Sequence, residues 1–392
     1  MVDIRQLRVR DGDVLVLVGT MKGAFLFRSD ARRARWEMGG PHFPGLPVYA
    51  MAYDDRAGRR RLWAAPTSMH WGPTVSWSDD FGRAWSGEGA GPKFPAETGA
   101  TLARVWQIRP GRAEEPDTMY CGAEPAALFI SGDAGASWSL CRGLYDHPHR
   151  AKWHPGGGGL CLHTIVPHPA RKGTIHVAIS TGGVYRTDDG GKSWRTAHKG
   201  VRAQFLPDPH PEFGQCVHKI VSQPSRPDRF FLQNHWGLYR TDDGGGSWQD
   251  IARGVPSDFG FAMEVHPHDP DTVYILPLES DQFRCTPEGK LRVYRTRNGG
   301  GSWQALARGL PQEDAFETVL RDAMAADTCE TAGLYFGTRS GKLFGSRDGG
   351  TSWRALAEGL PPIVCVKTAR VAARARKGRA SARRGRQAPA RA

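Results

Sequence analysis

The phrase Ser131-Gly132-Asp133-Ala134-Gly135-Ala136-Ser137-Trp138 recurs along the chain and decides its fold. Three further copies keep its key positions: TDDGGKSW at 187–194, TDDGGGSW at 241–248 and SRDGGTSW at 346–353. Two copies each change one position, with Ala84 in 78–85 and Asn298 in 296–303, and an eroded seventh copy ends at Trp36. The seven tryptophans lie 49, 53, 56, 54, 55 and 50 residues apart. Such a period, with short strands and turn residues, predicts a propeller or a repeat array.

The residue types of this phrase predict a turn between two strands. A short strand such as 183–186 leads into it, and the hydroxyl and aspartate side chains can hydrogen-bond backbone amides of a tight turn. The glycine permits a positive φ, and the tryptophan offers a large apolar ring to the space between sheets. We therefore interpret each copy as a structural brace and not as a catalytic device.

The pattern Ser/Thr-x-Asp-x-Gly-x-Ser/Thr-Trp resembles the Asp-box, also called the BNR repeat. This repeat occurs in sialidases, xyloglucan-cleaving glycoside hydrolases, sortilin-type receptors and photosystem assembly factors. The repeats cover residues 14–367, nearly the whole chain. The resemblance implies a propeller like those of the sialidase superfamily and other BNR-like repeat proteins. It leaves the activity open, because one propeller fold carries unrelated functions.

The two ends of the chain predict how the ring closes. The first repeat opens with the apolar run 14–18, which matches the second strand of the other repeats, so its innermost strand is missing. An unassigned apolar run, 363–366, follows the last repeat. We therefore predict an all-β, seven-bladed β-propeller of four-stranded blades over residues 14–367, with the first blade completed by the C-terminal strand. Closure removes the exposed sheet edges of an open array.

Most of the net charge of +13 belongs to the C-terminal segment. Residues 367–392 hold ten basic residues and no acidic one, which leaves about +3 for the rest of the chain. We predict a lead-in over 1–13 and a disordered basic tail over 368–392, because that tail lacks apolar anchors. Such a tail can contact polyanions nonspecifically, or it is a solvated extension without a partner.

Cysteine usage and hydropathy bear on the compartment. The chain has seven cysteines, an odd number, and its N-terminus lacks the apolar stretch of a secretory signal. Reduced thiols in the cytoplasm are therefore expected rather than a disulfide framework. No apolar run is long enough to predict a membrane span. We expect a monomer.

In a propeller, the loops from strand four to strand one and from strand two to strand three share one face, opposite the braced turns. The loops that enter the fourth and fifth repeats are rich in histidine and end in Cys161-Leu162-His163 and Cys216-Val217-His218. Residues two apart on a strand face the same way, so each pair presents a thiol and an imidazole together. One interpretation is a transition-metal site formed by these four residues. The other is that the cysteines pack as small apolar side chains while the histidines hydrogen-bond loops.

Aligning the inner strands on Pro110, Pro169, Pro224 and Pro267 places Arg104, His163, His218 and Phe261 at equivalent points. In the seventh repeat Arg321 or Asp322 falls there. This polar ring predicts a pocket that is built by blades three to seven. Its ligand is expected to be polar or anionic and sugar-like, either a small molecule or a glycan. We predict ligand contacts from six residues: Arg104, His163, His210, His218, His235 and Arg321.

Three function classes remain open. A glycoside hydrolase needs two carboxyl groups, and the candidates for acid and base are Glu264 and Glu124. The sialidase resemblance implies three arginines that clamp a carboxylate, and Arg104, Arg321 and Arg339 are candidates, but the family's Arg-Ile-Pro phrase is absent. The first prediction is a sialidase-superfamily-like hydrolase that needs no cofactor. The alternatives are a noncatalytic binding or assembly propeller, and a metal-dependent enzyme that uses Cys161, His163, Cys216 and His218.

Overall fold

Seven antiparallel sheets surround a central channel in the computed structural model, which describes residues 5–87 and 91–372. Six sheets follow a simple four-strand order, and in the remaining one two short strands both pair with the second strand. The predicted seven-bladed, all-β propeller is confirmed. The segments with helical turns are short: α1 (Arg142–Tyr145) and the 3-10 turns Arg56–Gly58, Ala96–Thr98, Arg150–Lys152 and Pro287–Gly289.

The strands of each blade are as follows. Blade one has β1 (Val14–Thr20), β2 (Gly23–Ser29), β3 (Glu37–His42) and β28 (Ile363–Arg370). Blade two has β4 (Val48–Asp54), β5 (Arg61–Ser68), β6 (Gly72–Pro73) and β7 (Ser76–Ser78). Blade three has β8 (Arg104–Pro110), β9 (Met119–Glu124), β10 (Ala127–Ser131) and β11 (Ser139–Leu140). Blade four has β12 (Leu162–Pro167), β13 (Ile175–Ile179), β14 (Gly183–Thr187) and β15 (Arg195–Thr196).

Blade five has β16 (Val217–Ser222), β17 (Phe230–Asn234), β18 (Leu238–Thr241) and β19 (Gln249–Asp250). Blade six has β20 (Gly260–Val265), β21 (Val273–Pro277), β22 (Val293–Thr296) and β23 (Gln304–Leu306). Blade seven has β24 (Met324–Ala326), β25 (Leu334–Gly337), β26 (Leu343–Ser346) and β27 (Arg354–Ala357). Each blade therefore presents its first strand to the channel, except blade one, where β28 takes that place.

The C-terminal strand closes the ring as predicted. Strand β28 pairs antiparallel with β1 from Val14 opposite Arg370 to Thr20 opposite Ile363. It runs three residues beyond the predicted end of the propeller at 367, and Val371 still exchanges backbone hydrogen bonds with Gly12 and Asp13. The sequence-based lead-in is also attached, since Arg5 bridges to Gly40 and Leu7 is buried. The remainder of the predicted basic tail, 373–392, lies outside the described residues.

In six blades the recurring phrase forms the same hydrogen-bonded turn, whereas in blade one Ser29 donates instead to the carbonyl of Arg35. In blade three, the Ser131 hydroxyl donates to Asp133 Oδ1 at 2.7 Å and accepts the Gly135 amide at 2.8 Å. Asp133 Oδ1 also accepts the Ser137 amide at 2.8 Å. Gly135 adopts φ +85°, a conformation that disfavours other residues, and the same arrangement recurs in the phrase of blade five. Every polar position of the phrase is thus occupied within the turn.

The inner strands share a feature that the sequence did not reveal. In five blades the pairing between the first and second strands skips one or two residues near the start of the first strand. Such bulges bend the strand and re-aim the extra side chain. The bulged side chains are Tyr49 with Ala50, Trp106, His163, His218 and Phe261. The predicted equivalence of Arg104 with the two histidines is therefore wrong, because Trp106 occupies that position in blade three.

All seven cysteines are free thiols, and five of them are buried. Within residues 5–87 and 91–372, no helix has the length and apolar character required to cross a membrane.

Candidate functional site

A cavity of about 630 Å³ opens on the loop-rich face above the channel. Loops of blades four to seven form its wall. The cavity thus lies on the loop-rich face, and blade three, which the sequence analysis had included, does not contribute to its lining. Its lining includes Gly156, Phe213, Cys216, His218, His235, Phe261, Arg284 and Arg321. No carboxylate lines this cavity among the residues that the structure describes. The site is thus more apolar and more cationic than the mixed-charge pocket expected.

Two guanidinium groups converge on one aromatic ring at this site. Arg284 lies 5.5 Å and Arg321 5.7 Å from the centre of the Phe261 ring. The loop over 156–159 passes beside both, since a Cβ on Gly157 or on Gly158 would lie 4.0 Å from one or the other guanidinium. Two positive charges beside an apolar surface, without a lining carboxylate, favour an anionic group.

Arg321 occupies a central position at the mouth of the channel. Its guanidinium lies 5.2 Å from the centre of the Trp106 ring and donates through Nη1 to Cys161 Sγ at 3.4 Å. The side chain is buried among blades three, four and six. Contacts with three blades fix the guanidinium before any ligand arrives, which lowers the ordering cost of binding.

The two bulged histidines, His163 and His218, have different partners. His163 is fully buried, its Nε2 donates to the carbonyl of Val217 at 2.9 Å, and its Nδ1 contacts the Thr164 hydroxyl at 2.9 Å. His218 instead donates through Nδ1 to the carbonyl of Gly260 at 2.6 Å. Its Nε2 therefore keeps a lone pair and lies 3.6 Å from Cys216 Sγ. Each histidine links its blade to the next, but only His218 faces the cavity.

Burial and nearby charges keep the histidines at this site neutral. Burial, and then the positive charge of Arg321, lowers the pKa of His163 and of His218 well below the usual value. Burial also lowers the pKa of His235, although Asp281 opposes the shift from 3.4 Å. His218 and His235 can therefore each offer one unprotonated nitrogen near neutral pH, whereas both ring nitrogens of His163 are engaged in hydrogen bonds.

Glu124 lies directly behind the cavity wall. Its Oε2 accepts hydrogen bonds from Arg104 Nη1 at 2.9 Å and from Trp106 Nε1 at 2.8 Å. Its Oε1 faces Gly159, where a Cβ would come within 2.5 Å of that oxygen. The predicted ligand residue Arg104 thus holds Glu124 and is absent from the cavity lining.

Glu264 lies elsewhere, in the channel below the cavity. It lines a second space, of about 720 Å³, together with Arg109, Lys219 and Lys367. Lys219 and Lys367 both pair with the buried Asp322, the latter at 3.3 Å. Although burial alone would raise the pKa of Asp322, the two ammonium groups lower it below its usual range. The two predicted catalytic carboxylates, Glu264 and Glu124, therefore belong to different parts of the molecule.

Of the other predicted contact residues, some line the cavity and others lie outside it. His235 lines the cavity, whereas His210 is exposed on the loop before blade five and Arg339 is absent from the lining. The sequence analysis missed Arg284, Phe205 and Phe213, which lie in loops that it had assigned to this face. Arg284 lies in the loop between β21 and β22 and donates through Nε to the carbonyl of Asp281, so a full list of the cations in these loops would have included it.

We predict a pH-dependent effect of Glu264. Burial raises the pKa of Glu264 from 4.5 to about 7, although Lys219 and Lys367 oppose the shift. The folded state thus holds this proton more tightly than the unfolded chain, so the resulting stability is present below pH 4.5 and is lost as the pH rises through 7. Glu264→Gln should raise the melting temperature relative to the wild type more at pH 8 than at pH 5. Thermal melts at both pH values, with the exposed Glu313→Gln as control, measure this; an equal shift at both would contradict it.

The chain matches known propellers over parts of its length. The family model for sortilin, neurotensin receptor 3 (Sortilin-Vps10) matches residues 184–331. A probable oligoxyloglucan-reducing end-specific xyloglucanase of Neosartorya fischeri is 24% identical over 230 residues, which is 50% of this chain and 26% of that protein. The corresponding enzyme of Emericella nidulans is 21% identical over 223 residues. The chain thus aligns with only about a quarter of the length of these relatives.

Solved structures give the same fold at low sequence identity. The GH74 xyloglucanase of Xanthomonas campestris has a TM-score of 0.59 and 18% identity, over 89% of this chain and 53% of that one. A structure described as YCF48 bound to D1 peptide has a TM-score of 0.52 and 14% identity, over 90% of this chain and 88% of that one. The predicted resemblance to BNR and sialidase-like propellers is confirmed, and the distant relatives include both xyloglucanases and a peptide-binding propeller.

Proposed function

We propose that the loop-face cavity binds a sugar-sized ligand that carries an anionic group, and that the chain acts on this ligand as a glycoside hydrolase. The convergence of Arg284 and Arg321 on Phe261 carries the proposal for binding. A planar carboxylate suits the fork of a guanidinium, and the apolar face of a sugar ring suits an aromatic side chain. A volume of about 630 Å³ lies within the range of small-molecule sites.

Hydrolysis is supported by the xyloglucanase relatives and by Glu124. This carboxylate keeps one oxygen in hydrogen bonds from Arg104 and Trp106, while the other faces the Gly159 backbone at the cavity wall. Asp281, 3.4 Å from the lining residue His235, is a second carboxylate close to the cavity. We assign these two groups as the acid and base that glycosidic cleavage requires.

The absence of a carboxylate from the described cavity lining favours a second candidate function. A propeller that only binds its ligand needs the guanidinium groups and the aromatic ring but no acid or base. Both candidates use the same cavity, and they differ in turnover alone. In either case we keep the predictions of a monomer and of a cytoplasmic location.

We predict that a matched pair of glutamate variants separates these functions. Glu124→Gln should lower kcat on an aryl glycoside by about 10²-fold or more, the usual contribution of a general acid or base. Glu264→Gln should change kcat less than about twofold, since it lies in the channel. The assay uses a panel of aryl glycosides that includes uronides and sialosides. Equal loss in both variants would contradict the assignment of Glu124, and no turnover with retained binding would leave the noncatalytic function.

Binding has its own measurement. Arg321→Met should weaken the affinity for an acidic saccharide such as glucuronate or sialate about 10- to 100-fold, because a charge-assisted hydrogen bond is lost. Calorimetric titration at low and at physiological salt measures this. An unchanged Kd, or a preference for the neutral sugar, would contradict the proposal of an anionic ligand.

A further inference from the structure

We infer that Cys216, His218 and His235 form a mononuclear zinc site whose open coordination position faces the loop-face cavity. One ligand atom from each residue lies within 4.8 Å of the other two. All three residues line the same cavity. Three protein ligands of the Cys and His type with one open position are typical of reactive zinc sites, whereas structural zinc sites use four. The site shares the cavity and Asp281 with the proposed hydrolase, but metal binding does not require turnover of a glycoside.

The spacing of the first pair already suits a metal. Zinc bonds of about 2.3 Å to sulfur and about 2.0–2.1 Å to nitrogen place two ligands about 3.5 Å apart at a tetrahedral angle. Cys216 Sγ and His218 Nε2 are 3.6 Å apart. A small movement of His235 would bring its ring nitrogen to the same distance from the other two ligand atoms. His235 lies on the short loop between β17 and β18.

The outer contacts orient both imidazoles as metal ligands require. The Nδ1 of His218 donates to the Gly260 carbonyl, which leaves Nε2 unprotonated and directed at the cysteine. His235 Nε2 lies 3.4 Å from Asp281 Oδ2. Histidine ligands of zinc commonly donate to a carbonyl or a carboxylate in this manner, which fixes the ring and raises its basicity.

Two negative groups at this site would offset the charge of the metal ion. The deprotonated Cys216 and the Asp281 carboxylate together match the two charges of a divalent cation, and Arg321 and Arg284 leave the cavity with a net positive charge for an anionic ligand. A zinc-bound thiolate needs no independent base, because metal binding itself releases the thiol proton. Soft sulfur with imidazole favours zinc over magnesium or calcium, which prefer oxygen ligands.

The site differs from the four-residue set predicted from the sequence. His163 uses both ring nitrogens in hydrogen bonds to Val217 and Thr164. Cys161 Sγ contacts Ser180 Oγ at 3.5 Å and Arg321 Nη1 at 3.4 Å. The first Cys-x-His pair is therefore engaged within the protein, and His235 takes the place of its histidine.

Cobalt titration of untagged, chelator-treated full-length protein tests the site, since Co²⁺ reports zinc ligands by its absorption. The wild type should bind one equivalent, show a near-ultraviolet thiolate-to-cobalt band and lose that band when one equivalent of Zn²⁺ is added. Cys216→Ser should abolish the band and weaken binding at least tenfold. Cys161→Ser, the matched control, should keep both.

A second variant keeps the test informative if Cys216→Ser does not fold. Asp281→Asn should retain the band but weaken the affinity for cobalt about 10- to 100-fold, as loss of an outer carboxylate does at zinc sites. Circular dichroism verifies the fold of each variant. No saturable binding in the wild type, or a band that persists in Cys216→Ser, overturns the inference. Loss of the band in Cys161→Ser would restore the two Cys-x-His pairs as the ligand set. None of these readouts depends on a carbohydrate ligand.

Discussion

A chain that ends at Pro362 should fail to form the ring, whereas one that ends at Ala372 should melt like the full-length protein. The shorter chain lacks β28 and leaves the whole of β1 without its partner on the channel side. Three apolar side chains of β28, Ile363, Val364 and Val366, are buried. The burial of each of these side chains contributes about 1.5–3 kcal/mol. Their sum is comparable to the free energy of unfolding of a typical protein, which is about 5–15 kcal/mol.

Soluble yield, far-ultraviolet circular dichroism and thermal melts of both truncations measure this effect. The longer truncation serves as control because it removes only residues 373–392, whereas a cut at 370 would already sever the hydrogen bonds between Val371 and the Gly12–Asp13 segment. Coincident melting curves for the Pro362 chain and the full-length chain would refute closure by β28.

Trp248→Ala should cost about 3–5 kcal/mol of unfolding free energy, the usual price of emptying a large aromatic from a core. The ring is 7% exposed and packs with apolar side chains of blades four and five. Its Nε1 also donates to the carbonyl of Ala197 at 2.9 Å, which the alanine variant leaves without that partner. The variant should therefore weaken the contact between two blades.

Chemical denaturation followed by fluorescence measures the loss, with Trp71→Ala as matched control. Trp71 is 86% exposed, so its removal should change the midpoint little. The phrase is a brace in our interpretation, so surviving Trp248→Ala protein should bind ligand normally. A stable variant with altered ligand binding would require a functional role for this turn.

The repeat period sufficed to predict the number of blades and the closing strand. Every copy of the phrase carries its own local turn chemistry, and the apolar runs at the two ends have no other partner. The boundary at 367 fell short because Thr368 and Arg370 are polar, yet both continue the ladder with β1. Ala369 and Val371 alternate with these polar residues and are buried, so the strand continues although its apolar run is interrupted.

The cavity lies on the face at which the sequence predicted a site, but the predicted register of the inner strands is wrong. The alignment on Pro110 and Pro169 did not take the bulge into account. When β8 and β12 are aligned on their bulged residues, Trp106 and His163, Pro110 is equivalent to Pro167. Whether His163 or His218 keeps a ring nitrogen free for the cavity depends on which nitrogen donates to a carbonyl of the next blade. No local sequence pattern encodes this choice. The position of Glu264 likewise depends on where Lys219 and Lys367 enter the channel.

The shared bulge makes the channel mouth modular. Tyr49, Trp106, His163, His218 and Phe261 occupy the same backbone position in successive blades; all five carry an aromatic ring, but the rings differ in size and polarity. The ladder around each of them is formed by main-chain groups, which do not depend on the side chain. Among these five residues, His218 and Phe261 line the cavity, so substitutions at these two positions can change the ligand-binding surface while the turns and the closing strand stay unchanged.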